Sequence, residues 1–233
     1  MHRLPAPLVI ALAIVTLAAA PACSGGGSAS PTAAPAGAAT VDATASVAAS
    51  PAAQGSPTPA IAAAVLATSD LPAGWVGGRL QQPQITTNAC DATFDTLASK
   101  GRWRAVFING QAGLFESVAA YAPGDAQRAV EQVRSAFASC QQWSRVLNNN
   151  RLATYTWSKL DNVAPPADET LAYTVHIAIT PPRSEGTDEF VVVRRGNVVM
   201  IFSHLTAGAG DAAATKALIE KADRKVAAVA GSY

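Results

Sequence analysis

Charge is what this sequence has least of. Only 14% of its 233 residues are Asp, Glu, Lys or Arg, against roughly 25% in ordinary soluble chains. The 17 basic and 16 acidic side chains nearly cancel, leaving a formal charge of +1. That balance excludes the basic footprint of a nucleic-acid binder and a polybasic membrane patch. Aromatic residues are also scarce, at 6%, and the 49% hydrophobic fraction is inflated by 52 alanines, so large core side chains are few. Three histidines and three cysteines complete the short list of reactive groups. HExxH, a GxSxG elbow, CxxC and a Gly-rich loop ending in Gly-Lys-Ser/Thr are all missing, so the motifs imply neither a catalytic centre, a metal nor a cofactor.

The N-terminus carries an address. Arg3 provides a positive start, Leu8 to Ala20 form an apolar run, and small residues at Ala20, Pro21 and Ala22 precede Cys23. This is the pattern of a secretory signal peptide over residues 1–22. The run is shorter than the roughly 20 residues a membrane span needs, and Pro21 and Ser24-Gly25-Gly26-Gly27 interrupt it. Small residues directly before Cys23 resemble a bacterial lipobox, which implies that Cys23 carries lipid and that a membrane is a partner through this N-terminal anchor. Plain Ala-x-Ala cleavage after Ala22 is the alternative. In an exported chain with three cysteines, lipidation accounts for the odd one.

From Ser24 to Ala60 the only charged residue is Asp42, and Ala, Ser, Thr, Pro and Gly dominate. Such a stretch buries too little apolar surface to offset its ordering entropy. Residues 23–60 are therefore expected to be a lipidated linker spanning about 30–35 Å, with Ser-Pro and Thr-Pro pairs open to glycosylation.

Every Trp, Tyr and Phe lies beyond Ile61, and residues 61–233 suffice for one core. Ala62 to Ala67 suggests a short helix before a turn at Pro72 and Gly74. Cys90 to Ala98 reads as one or two helical turns. Trp103 to Ile108 and Leu114 to Tyr121 read as a hairpin joined at Asn109-Gly110; the second strand has Phe115, Ala119 and Tyr121 on one side and Glu116 and Val118 on the other, so its buried side is ambiguous. Ala126 to Cys140 has the clearest helical period, with Asp125 as its expected N-cap. Tyr155 to Leu160 and Leu171 to Ile179 alternate as strands. Glu189 to Arg194 and Val198 to Leu205 form the strongest hairpin, apolar enough to be central, and Asp211 caps a final helix. The expected class is α+β, a central antiparallel sheet packed by helices. Cys90 and Cys140, in an oxidising compartment, are expected to form a disulfide.

Cys90, Cys140-Gln141-Gln142-Trp143, Thr154-Tyr155-Thr156-Trp157, Pro165-Pro166, the Val191 to Val199 hairpin and the closing helix occur in an order that resembles actinobacterial lipoproteins of the PknH-like extracellular sensor-domain family. The resemblance runs from about Leu66 to the C-terminus. It implies an antiparallel sheet flanked by helices and a cleft for an unidentified ligand. Many kinase-borne members have a second disulfide near the last hairpin, whereas this chain has no cysteine after Cys140.

Several residue groups merit a chemical reading. Tyr155 and Trp157 are the leading ligand-binding candidates, on the expectation that only one of them faces the core. Arg102, Trp103 and Arg104 suggest a basic-aromatic surface, and Arg194 with Arg195 suggests a second basic patch at a hairpin tip. His176 or His204, oriented by Asp161 or Glu189, would serve an envelope hydrolase if either lay within about 3 Å of a carboxylate or hydroxyl. Asp91 and Asp95 are either a carboxylate pair or a solvated helix face. Gly208 to Ala213 matches GxGxxA, but no strand follows the last helix, so a loop and cap is the better reading. The expectation is a non-enzymatic, extracytoplasmic ligand-binding domain; a lipid or glycan carrier, a hydrolase and an interaction module with a protein partner are the alternatives.

Overall fold

A computed structural model describes residues 58–80, 87–90, 92–94, 96–147, 150–163 and 165–233. The signal peptide, Cys23, nearly all of the linker, Asp91 and Asp95 lie outside them. Helix α1 (Pro59–Ala64) begins earlier than expected because Thr58 caps it, its hydroxyl accepting from the Ile61 N–H at 3.3 Å, with proline in the first turn. A 3-10 turn (Thr68–Asp70) leads to β1 (Val76–Leu80). A small hairpin, β2 (Thr87–Ala89) and β3 (Ala92–Phe94), stands where one or two helical turns were expected. Cys90 sits at the turn with φ +54, a conformation that breaks a helix.

The long hairpin β4 (Gly101–Asn109) and β5 (Ala112–Ala120) pairs Asn109 with Ala112 across a turn where Gly110 takes φ +58. Helix α2 (Asp125–Ser139) buries Ala126, Ala129, Val130, Val133 and Phe137. Its cap is Gly124 at φ +84, not Asp125, which becomes the first helical residue and pairs with Arg128. Next come β6 (Gln142–Val146), unforeseen from sequence, then β7 (Leu152–Lys159), β8 (Glu169–Thr180), β9 (Ser184–Arg195) and β10 (Val198–Ala207). Helix α3 (Ala212–Ala230) closes the chain, capped as expected by Asp211, whose carboxylate accepts from the Ala214 N–H at 3.0 Å.

All eight long strands form one antiparallel sheet in the order β1-β4-β5-β10-β9-β8-β7-β6. The apolar β9–β10 hairpin is central. Helices α1 and α3 cover one face, while α2 and the small hairpin cover the other. The pleat sends Val191 and Val193 toward α3 and Val192 toward α2, and all three are fully buried. Two covered faces also resolve the ambiguity of β5: Glu116 and Val118 lie in the α3 core, Ala119 and Tyr121 in the α2 core. A disulfide joins Cys90 to Cys140, Cα atoms 5.8 Å apart, tying the β2–β3 turn, rather than a short helix, to the end of α2.

Candidate functional site

A cleft of about 570 Å³ opens between the loop before β1 and the first turns of α3. Leu71, Pro72 and Trp75 form one wall, and Ala214, Ala217 and Leu218 the other. Ala112, His204 and Thr206, from β5 and β10, form its floor, with Asp70, Asp211 and Lys221 at the rim. The volume and the apolar walls are those of a small-molecule pocket.

Local chemistry holds both walls. The Asp70 carboxylate accepts from the Ala67 N–H at 2.8 Å and from Lys225 Nζ at 2.5 Å, and Lys221 donates to the Asp70 carbonyl. Burial pushes the Asp70 carboxyl up, but the hydrogen bond and charge of Lys225 win, leaving it below its ordinary range. Gly74 turns the chain with φ +97, and a β-carbon there would meet the Asn109 amide oxygen at 3.2 Å. The turn that presents Trp75 therefore requires glycine.

Beneath the floor runs a buried polar chain. His204 Nδ1 lies 2.5 Å from the Thr215 hydroxyl, which donates to the Glu189 carboxylate. His204 and Glu189 are each 3% exposed, and Thr215 is fully buried. Burial lowers the His204 pKa and raises that of Glu189. The Trp75 ring lies 5.9 Å from the imidazole, centroid to centroid. Gly210 completes the packing, since a β-carbon there would stand 2.7 Å from Glu189 Oε1.

The structure thus joins His204 to Glu189 through a hydroxyl, at the distance a hydrolase would require. The hydroxyl itself is sealed from solvent and directs its proton to Glu189, so it is not presented to a substrate. His176 is exposed on β8, separated from His204 by β9, and hydrogen-bonds to no carboxylate among the described residues. Among the described residues no group of three or more His, Cys, Asp or Glu side chains is placed to hold a metal.

The other singled-out residues lie elsewhere. Tyr155 and Trp157, two apart in one strand, point to the same face, contrary to the expectation that only one faces the core; a two-residue period permits nothing else. Trp157 donates its indole N–H to the Cys140 carbonyl at 2.6 Å and meets the Phe137 ring edge-on at 5.5 Å. Tyr155 stacks on Trp143 at 5.0 Å, with Arg145 over its ring. Both sit at the α2 end of the sheet, away from the cleft.

Arg102 and Arg104 are buried, 7% and 4% exposed, on the α2 face, whereas Trp103 packs into the α3 core. Alternation divides the three, so they make no joint exposed surface. Arg102 donates to the Tyr121 hydroxyl at 2.8 Å. Arg194 and Arg195 also part: Arg194 pairs with Glu169 at 3.1 Å, and Arg195 grips Asp223 through two bonds of 2.6 and 2.7 Å. Both arginines are engaged within the fold.

Trp75, Thr215, Leu218 and Lys221 escaped the sequence reading as site residues. Thr215 alone left a signal: it is the one polar side chain between Asp211 and Leu218 on the buried stripe of α3.

No protein-family model matches the chain, and no curated protein matches it by sequence. Solved structures do. The extracellular domain of PknH from Mycobacterium tuberculosis aligns with a TM-score of 0.50 at 12% identity, covering 70% of this chain and 95% of that one. A putative uncharacterized protein from Mycobacterium smegmatis, the Rv0999 ortholog, aligns with a TM-score of 0.42 at 14% identity, covering 73% and 96%. The first likeness is one of fold, and the chain shares the sheet-and-helix fold of the PknH extracellular domain.

Proposed function

We propose that this protein is a non-enzymatic, extracytoplasmic sensor-like domain that binds a small molecule in the cleft between the Asp70–Trp75 loop and α3, held at a membrane by lipid on Cys23. The observation that carries the reading is the cleft itself: apolar walls from two distant segments, fixed by the Asp70–Lys225 contact, over a floor with one buried histidine. Concave apolar sites with a few placed polar groups are built for ligands. The fold supports the reading, since the likeness is to a domain described as extracellular. The signal-peptide pattern and the cysteine after it support export and tethering. Among the described residues no helix is long and apolar enough to cross a membrane.

Catalysis is the weaker reading. The Glu189–Thr215–His204 chain has the residue types of acid-base machinery, but its hydroxyl is fully buried. Carriage of a lipid or glycan is a variant of the same binding role.

Native mass spectrometry of protein isolated from its own envelope tests the proposal. The expected result is a diacylglyceryl-modified Cys23 at the mature N-terminus and a retained small molecule that is lost in Ala217→Trp, a change that fills the cleft from an exposed position. An unmodified N-terminus would remove the anchor. A ligand equally retained by Ala217→Trp would place binding elsewhere.

A further inference from the structure

The polar groups of the cleft are almost all engaged. Lys221 donates to the Asp70 carbonyl, and Asp70 itself is held by Lys225. The Asp211 carboxylate caps α3, and the Thr206 hydroxyl lies 3.2 Å from the Ala209 carbonyl. His204 Nε2 is the exception: among the described residues the ring's one hydrogen bond joins Nδ1 to Thr215.

The buried chain decides what Nε2 offers. With Glu189 ionised, the single hydroxyl proton of Thr215 goes to its carboxylate. Toward His204 the Thr215 oxygen therefore accepts, so Nδ1 carries the imidazole proton and Nε2 keeps its lone pair. Glu189 thus sets the tautomer of His204 without touching the cleft. Were the chain reversed, Nε2 would be a donor.

We infer that the cleft selects a largely apolar molecule bearing a hydroxyl or N–H group, which donates to His204 Nε2. The inference rests on the cleft being the ligand site and specifies what enters it. Lys225 and Lys221 hold Asp70 at the rim and Asp211 caps α3, so an apolar body with one donor satisfies the walls and the floor together. Thr215 and Glu189 are positioning residues: they act through His204.

The probe pair is 1-naphthol and 1-methoxynaphthalene, which share an apolar body but differ in carrying a donor or only an acceptor. Titration calorimetry of the purified protein should give 1-naphthol the lower Kd by about five- to tenfold, the worth of one net hydrogen bond. Thr215→Val, which releases the tautomer, and His204→Phe, which removes the acceptor, should each bring the two probes to within about twofold. Circular dichroism identifies any variant that fails to fold, and the wild-type ratio does not depend on the variants. Equal wild-type affinities, or a preference that survives both substitutions in folded protein, would overturn the donor specificity and leave the cleft as a binding site. Failure of both probes to bind at millimolar concentration would overturn the cleft reading as well.

Discussion

On the α2 face of the sheet, Phe137 lies among Phe94, Trp143, Trp157, Tyr173 and Phe190, stacking on Tyr173 at 4.1 Å, and a disulfide fastens the helix end. On the α3 face, Glu116, Glu189, His204 and Asp223 lie in the core at 6% exposure or less. Arg102, Arg104 and Asp188, whose carboxyl burial pushes up to about 6, are the charged exceptions on the aromatic side. Ring packing and a cross-link stabilise without a desolvation penalty, whereas each buried ionisable group requires a partner to offset one. Both faces carry such groups, and on the α3 face His204 lies at the cleft floor with Glu189 beneath it.

The sharpest contrast comes from Glu116. It is fully buried, accepts one hydrogen bond from the Leu66 N–H at 2.7 Å, and has no partner for its other oxygen among the described residues. Burial pushes its pKa from 4.5 up to about 8. A raised carboxyl pKa means that the fold favours the protonated form. Its stabilising contribution is thus complete below pH 4.5 and lost as pH rises through 8, a swing of at most roughly 5 kcal/mol. Urea denaturation across this range should show Glu116→Gln flattening the decline and becoming more stable than the wild type at pH 9. Parallel pH profiles for the two proteins would show that Glu116 is not held in a desolvated site.

The aromatic face should instead depend on its cross-link. Cys90 and Cys140 are 50 residues apart, and closing such a loop stabilises by about 4 kcal/mol in the chain-entropy model. Cys140→Ser should therefore lower the denaturation midpoint by a corresponding amount, with the Glu116-dependent pH profile unchanged. Loss of that profile together with the disulfide would mean that the two faces are not independent.

Smaller effects separate the faces further. Asp211→Ala removes the α3 cap and should cost about 1 kcal/mol, and because it loosens a cleft wall it should also weaken 1-naphthol binding. Trp157→Phe loses the bond to the Cys140 carbonyl, again about 1 kcal/mol, but should leave that binding unaltered. Weaker binding in Trp157→Phe, with Asp211→Ala binding normally, would move the ligand site to the aromatic face.

Local chemistry was legible in the sequence where it decides the outcome. Asn109-Gly110 and Arg195-Gly196-Asn197 mark the two major hairpins because their turns call for positive φ, and α2 announces itself through an uninterrupted apolar stripe. The small hairpin gave no such signal, since three-residue strands are shorter than any readable period, and β6 is a polar edge strand with Trp143 as its only large aromatic. Tyr155 and Trp157 were identifiable as neighbours, and the pleat could have assigned them to one face. The cleft was not legible. Trp75, Ala112, His204 and Leu218 meet only after the sheet orders its strands and α3 folds back, and local pattern carries no information about such distant contacts. The burial of Arg102, Arg104 and Glu116 was hidden for the same reason: their strands alternate, but both faces are covered.

Amide chemical-shift mapping with 1-naphthol tests most directly which face receives the ligand. Saturable shifts should be confined to Asp70–Trp75, Ala112, His204–Thr206 and Asp211–Lys221. Shifts centred instead on Trp143, Tyr155 and Trp157, with the α3 cleft silent, would contradict the assignment.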